Sequence, residues 1–345
     1  MEIKNLVSQY DPENQFDVLV NTYKQIEFAW SNNFDVSIFK NKKFNSITVT
    51  GLGGSAISGD LMQNFLQNEL DIPYFVNRNY SLPAYINSDS LLIASSYSGN
   101  TEETLEVLNQ AIEKKCNIIC VTTGGKMFEI AVKNNIPIVT MQKGFQPRYS
   151  LGLSFFSLLK ILQEIGIIQD QTGTVHKITK LVKEMGSLYS IDENYLFTLA
   201  QRMIGFVPII YSVNDVTNAI GNRFKCQLNE NSKIHAFCNN YPELNHNEIV
   251  GWETVVNSNF NSIVLSIEDL SYHPQIKKRF SISNNLIKEK NVEIIALESK
   301  YETFKERVFD LIYLTDWISY YLAILRGKDP SEIDNIHLLK QKLVE

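Results

Sequence analysis

The chain runs to 345 residues, with 32 Lys and Arg against 38 Asp and Glu for a formal charge of −6, and 44% of its residues are apolar. That length exceeds what one hydrophobic core ordinarily serves and predicts two domains. The dispersed, mildly acidic charge leaves neither a basic footprint for nucleic acid nor a polybasic membrane patch, so the expected partner is a small molecule.

A polar N-terminal segment is predicted to start a helix at Asp11-Pro12, as N-cap and first-turn proline. Short β-branched runs then predict strands at 47–50, 73–76, 91–94, 117–122 and 136–139, with helices around 56–69, 101–115 and 126–134 between them. Helices inserted between apolar strands imply a parallel sheet covered on both faces, a doubly wound α/β domain. Cys116 and Cys120 fall on one side of the fourth strand as small hydrophobes, and the four cysteines make no disulfide framework. Leu151 to Ile168 reads as a long helix and is the greasiest segment, but Lys160, Gln163 and Glu164 interrupt it as a membrane span. Met1-Glu-Ile-Lys-Asn5 lacks the apolar stretch of a secretory signal, so the protein is expected to be soluble and cytoplasmic.

The polar stretch 169–174 reads as a linker, dividing the chain into domains 1–168 and 169–345. Beyond it the alternation restarts, with strands predicted at 207–211, 233–237, 262–266 and 292–296 and helices near 214–230, 242–250 and 273–288. A second, similar α/β domain follows from that. Two long C-terminal helices close the chain, the last opened by Asp329-Pro330-Ser331-Glu332.

Two segments stand out chemically: Gly51-Leu-Gly-Gly-Ser-Ala56 and Ser95-Ser-Tyr-Ser-Gly-Asn-Thr101, each closing a predicted strand and opening a helix. Helix N-termini carry unpaired N–H groups and partial positive charge, glycines admit a ligand to the backbone, and hydroxyls donate further hydrogen bonds. Ser55, Ser96, Ser98 and Thr101 are the expected phosphate ligands, with Gly53 and Gly54 in the loop. Two other uses fit the same residues. Ser98 or Asn100 would serve as helix caps, Asn100 forming a capping box with Glu103. Gly51-x-Gly53-x-x-Ala56 also satisfies a dinucleotide pattern, with Arg78 placed for a 2′-phosphate, although the acidic ribose ligand is absent. A serine inside the glycine run and a second hydroxyl loop favour a compact phosphomonoester over a dinucleotide.

These segments, with Gln146-Pro-Arg-Tyr-Ser-Leu-Gly152, Asn229-Glu-Asn231, Pro242-Glu-Leu-Asn-His-Asn-Glu-Ile-Val-Gly-Trp252 and Leu338-Leu-Lys340, resemble the bifunctional phosphoglucose/phosphomannose isomerase branch of the sugar isomerase (SIS) domain superfamily over nearly the whole chain. The resemblance implies two SIS domains per chain, usually a homodimer. It implies metal-free, cofactor-free interconversion of glucose 6-phosphate or mannose 6-phosphate with fructose 6-phosphate. By the same resemblance Glu230 is the base that carries a proton between C2 and C1 through an enediolate. A solvated glutamate, with a pKa near ~4.3, is a weak base that its site must strengthen. His246 matches the ring-opening residue, which in this superfamily can reach the sugar from a neighbouring subunit; imidazole exchanges protons near neutral pH. Arg148 matches the cation that stabilises the enediolate, or else forms a salt bridge between domains. Lys340 matches a C-terminal lysine that assists positioning or ring opening, and shares a helix face with His337. A non-catalytic phosphosugar sensor would keep the loops without Glu230, His246 and Arg148. An NADP-dependent oxidoreductase would use the glycine pattern alone.

Overall fold

The structure, a computed structural model, describes residues 2–253 and 260–343. The chain forms two compact units: one of Asn21–Lys180, the other joining the segment up to Val20 to the chain from Leu181 onward.

The N-terminal segment holds helices α1 (Ile3–Tyr10) and α2 (Gln15–Val20). Asp11 does cap a helix, but from farther back than predicted: its carboxylate accepts from Gln15 N and Phe16 N, both at 2.8 Å, while Pro12 sits in the intervening turn.

In the first unit, α3 (Thr22–Ser31) precedes strand β1 (Ser46–Thr50), α4 (Gly53–Phe65), β2 (Tyr74–Asn77), β3 (Ser90–Ser96), α5 (Glu102–Glu113), β4 (Asn117–Thr122), α6 (Gly125–Lys133), β5 (Ile138–Thr140) and α7 (Leu151–Glu164). The strands are parallel in the order β2-β1-β3-β4-β5, with Thr50 opposite Ala94 and Ser96 opposite Thr122. Every residue of β1, β3 and β4 is buried, as expected of a sheet covered on both faces. Val107, Leu108 and Ala111 of α5 and Met127 and Ala131 of α6 pack with Leu92, Ala94, Ile118 and Cys120 on one face. Cys116 packs against that cluster, so the pair are small hydrophobes and both thiols are free. On the other side α4 packs against α7, where Phe65 meets Phe155 edge to face at 5.2 Å.

The expected linker is a short tied turn. Asp170 Oδ1 accepts from Thr172 N at 3.1 Å and opens helix α8 (Thr172–Tyr189), within which the division between the units falls.

The second unit continues with α9 (Tyr195–Arg202), β6 (Val207–Val213), α10 (Asn218–Glu230), β7 (Phe237–Tyr241), the short α11 (Glu248–Gly251), β8 (Ser262–Glu268), α12 (Pro274–Lys288), β9 (Glu293–Glu298), α13 (Phe304–Leu325) and α14 (Asp334–Lys342). Its strands are again parallel, in the order β7-β6-β8-β9. Two parallel doubly wound sheets followed by C-terminal helices is the predicted architecture.

The centre of the second unit is α13, whose Trp317, Tyr320 and Tyr321 are fully buried. This helix, rather than 151–168, is long and apolar enough to cross a membrane by length and composition, but 94% of the relevant window is buried inside the protein, as in a core helix. The N-terminal segment docks on it: Tyr320 OH donates to Asp11 Oδ2 and Tyr313 OH to Leu19 O, at 2.8 and 2.7 Å, and Phe16 meets Trp317 edge to face. The last helix differs from expectation. Asp329 Oδ1 accepts from Ser331 N in a turn, α14 starts at Asp334, and none of its residues is buried.

Candidate active site

In a doubly wound sheet the two strands that flank the reversal of strand order send their following loops apart, leaving a crevice at their carboxyl ends. In the first unit those strands are β1 and β3, and both glycine–hydroxyl segments follow them. The loops touch there: a Cβ added to Gly51 would lie 2.6 Å from Ser95 O. Gly53 takes a left-handed φ of +52° to turn the chain into α4, and Gly54 lies so close to the Pro147–Tyr149 turn that a Cβ would meet Pro147 O at 2.6 Å. That turn carries Arg148, a buried arginine at 4% exposure, with its guanidinium 5.5 Å from the Tyr149 ring. Gln25 Nε2 donates to Tyr149 O at 2.8 Å and anchors the turn from α3.

The second loop is held by its own hydroxyls. Ser96 Oγ and Thr101 Oγ1 lie 2.9 Å apart, Gly99 N donates to Ser96 Oγ, and Asn100 N donates to Ser98 Oγ. Gly99, at φ +69°, abuts Gly124 O, and Tyr97 OH bridges Phe145 N and Gln142 O, tying this loop to the irregular segment that leads from β5 toward Arg148. Asn100 is not the cap of α5: its Oδ1 accepts from Lys126 N at 3.0 Å, so it fastens α6 instead. Neither α4, entered through Leu52, nor α5, entered through Thr101, receives a side-chain capping bond. Two long helices thus begin without side-chain caps at one crevice, the arrangement that favours an anion. The acidic first turn of α5 is accommodated sideways, with Glu102 Oε2 3.5 Å from Tyr80 OH. Arg78, the cation required by a 2′-phosphate, is salt-bridged to Asp60 of α4. The first unit therefore gathers Ser55, Ser96, Ser98, Thr101, Gly53, Gly54 and Arg148.

In the second unit Glu230 is the last residue of α10 and is half-buried. It ends a helix fixed to α13: Arg223 forms a two-pronged pair with Asp316 at 3.1 and 2.8 Å, Gln227 Nε2 donates to Asp316 Oδ1, and Asn231 Nδ2 donates to Ser319 Oγ. Positions 223, 227 and 231 recur every four residues along one helix face. This polar rail, with Ser232 Oγ donating to Ser319 O at 2.6 Å, positions Glu230 and went unread in the sequence, although its i, i+4 spacing was the available signal. Lys233 Nζ donates to Glu230 O and closes the turn.

His246 is exposed at the end of a single 3₁₀ turn, Glu243–His246, beyond the cis Tyr241–Pro242 bond. Its neighbours are pinned. Asn245 Nδ2 donates to Ser283 Oγ at 2.8 Å, while Glu248 Oε1 accepts from Tyr211 OH at 2.7 Å and Glu248 Oε2 accepts from Asn239. Trp252 Nε1 in turn donates to Tyr211 OH. Burial and the Glu248 carboxylate push the Tyr211 phenol well above its usual range, so it remains a donor. These positioning residues also went unread.

The second unit does not bring Glu230 and His246 together. Helix α10 returns from the carboxyl end of β6 to the amino end of β7, so Glu230 lies toward the amino ends of the strands and His246, which follows β7, toward their carboxyl ends. The five residues of β7 alone span about 16 Å. Lys340 and His337 lie exposed on α14.

The fold and the first-unit crevice define a protein built from two sugar-isomerase-type α/β domains. Residues 39–136 match the SIS domain family and residues 192–343 the bacterial phospho-glucose isomerase C-terminal SIS domain. A bifunctional phosphoglucose/phosphomannose isomerase of Caldicellulosiruptor bescii is 37% identical over 96% of this chain and 99% of its own length; another, of Aquifex aeolicus, is 34% identical over 87% and 91%. The chain belongs to the bifunctional phosphoglucose/phosphomannose isomerase family. In fold it also resembles the C-terminal domain of glucosamine-fructose-6-phosphate aminotransferase from Francisella tularensis, with a TM-score of 0.67 at 17% identity, covering 96% of this chain and 97% of that one.

Proposed function

We propose that this protein interconverts glucose 6-phosphate and mannose 6-phosphate with fructose 6-phosphate, without metal or cofactor, as a cytoplasmic homodimer. The observation that carries the reading is the pair of helix N-termini without side-chain caps at the β1/β3 crevice, in a chain whose relatives carry that activity in their names. The phosphate sits against Ser55, Ser96, Ser98, Thr101 and the Gly53–Gly54 backbone. His246 moves the proton between the ring oxygen and the anomeric hydroxyl as the pyranose opens, and Lys340 assists its positioning. Glu230 takes the C2 proton and returns it to C1, so the hydrogen shifts one carbon while the carbonyl moves the other way. Arg148 stabilises the enediolate between those steps, when its charge is greatest. The separation of Glu230 from His246 by the length of β7 supports supply of the histidine by a second copy.

The test is conversion of each aldose phosphate to fructose 6-phosphate by the purified protein in excess chelator. Turnover of both is expected, and turnover of neither, with saturable binding intact, would make the protein a phosphosugar sensor. Glu230→Gln should lose at least about a thousandfold in kcat while still binding fructose 6-phosphate. Near-normal turnover in that variant would remove Glu230 from the mechanism.

A further inference from the structure

A cavity of about 820 Å³ in the second unit shares no residue with the site above. It is open on one side and bounded by the end of α8, the start of α9, the carboxyl end of β9 and one side of α13. Asp310 of α13 lines it, 6% exposed, with Oδ1 buried and without a hydrogen-bond partner. The comparable buried carboxylates of this unit have cations: Asp316 pairs with Arg223 and Asp269 with Arg307. Among the described residues Asp310 has none, and only the neighbouring Ser299 and Tyr189 hydroxyls favour its charged form. A buried carboxylate without a cation is costly to ionise. Burial accordingly holds the Asp310 carboxyl above its ordinary 3.8.

The walls are aromatic and apolar. Tyr189 and Tyr195 stand edge to face with ring centroids 6.0 Å apart, Tyr301 joins them, and Leu199 and Leu314 complete the lining. Burial, with the Asp310 charge nearby, pushes the Tyr301 phenol up to about 12 and raises the Tyr189 and Tyr195 phenols, so these rings stay neutral. At the mouth Leu188, Ile191 and Tyr195 are 53, 55 and 56% exposed, a rim that invites an apolar group. The remaining charges near the cavity are Glu298 and Lys300 in its lining, with Glu184 and Glu306 acting on Tyr301.

We propose that this cavity is a second ligand site, and that it takes a primary ammonium carried on an apolar or aromatic body. The tyrosine faces attract a cation through their quadrupoles, and Asp310 supplies the counter-charge. A phosphate fits poorly, since Asp310 and Glu298 oppose it and Lys300 is the single cation of the lining. The site is thus chemically the reverse of the first-unit crevice, and its existence does not depend on what that crevice binds.

Calorimetric titration of the full chain with 2-phenylethylamine and its neutral counterpart 2-phenylethanol tests this. One saturable site is expected, with the amine bound about tenfold more tightly than the alcohol at pH 7. Asp310→Asn should erase that preference and leave the alcohol unchanged, and saturating fructose 6-phosphate should displace neither probe. Equal affinity for the two probes, no saturable amine binding, or an unaltered preference in Asp310→Asn would overturn the proposal. If the variant fails to fold, the wild-type pH profile decides. Ammonium binding favours ionised Asp310, so amine affinity must rise with pH through the titration of that carboxyl while alcohol affinity does not; parallel flat profiles would overturn the site.

Discussion

Gly54 and Gly53 are adjacent, yet the structure asks different things of them. At Gly54 an added methyl meets backbone, 2.6 Å from Pro147 O and 3.0 Å from Pro147 C, so either the first turn of α4 or the turn bearing Arg148 must shift. At Gly53 nothing lies within 4 Å, and the cost of alanine is the left-handed φ of +52°, about 1 kcal/mol. Gly54→Ala is therefore expected to raise KM for hexose phosphate about tenfold or more, and Gly53→Ala to act mainly on stability. Steady-state kinetics beside thermal unfolding of the two variants separates the effects. This corner was legible in the sequence because glycine and hydroxyl punctuation between strand and helix has few uses. Asn100 was not: its spacing to Glu103 fits a capping box, and only the tertiary approach of α6, with Lys126 N presented to its side chain, decides otherwise. Arg148 could be singled out by resemblance, but the turn that carries it is anchored at Tyr149 O by Gln25, more than a hundred residues away.

Helices and strands were read best where burial was complete on both faces, as in β1, β3 and β4, and worst at the edge of the second sheet. The run 233–237 has strand-like apolar residues, yet Lys233 is left-handed at φ 52° and Ile234 N bonds back to Leu228 O, so this stretch finishes α10. The strand forms four residues later, as β7, where Asn239 and Asn240 break the apolar pattern because their side chains serve Glu248 and Ser212. The α10–α13 seam makes an element-scale prediction: Asp316→Ala leaves Arg223 buried without its carboxylate and is expected to cost about 3–5 kcal/mol by denaturant unfolding. A second pair gives a pH signature. Burial alone would raise the Asp269 carboxyl, but Arg307 and Ser271 hydrogen-bond to it and hold it below its ordinary 3.8. A depressed folded pKa contributes stability above the unfolded value, and that stability is lost as pH falls through the folded one. The wild type should lose this increment below pH 3.8, whereas Asp269→Asn should start less stable at neutral pH and show a shallower acid decline. Glu268, held above its ordinary value by burial, titrates in both proteins and cancels from the difference.

At the scale of the whole molecule, the alternation of strands and helices was enough to anticipate two doubly wound sheets, whereas the docking of the N-terminal segment on α13 depends on partners some three hundred residues apart, Tyr320 with Asp11 and Tyr313 with Leu19. The larger question is where a complete set of reacting groups comes from. Glu230 and His246 stand toward opposite strand ends of one sheet, so the proposed mechanism completes each site with the histidine of a second copy. Glu230→Gln and His246→Ala should then each be inactive alone but complement when mixed under conditions that allow subunits to exchange. Half of the dimers become mixed, and each mixed dimer holds one site with both native groups and one with neither, so about a quarter of wild-type activity should return. If the histidine served its own chain, every site in the mixture would still lack one group, and activity would stay at the level of the separate variants. Size-exclusion chromatography with light scattering on the same mixture, one variant carrying a mass tag, shows that exchange has taken place, so a failure to recover activity counts directly against sharing of the site.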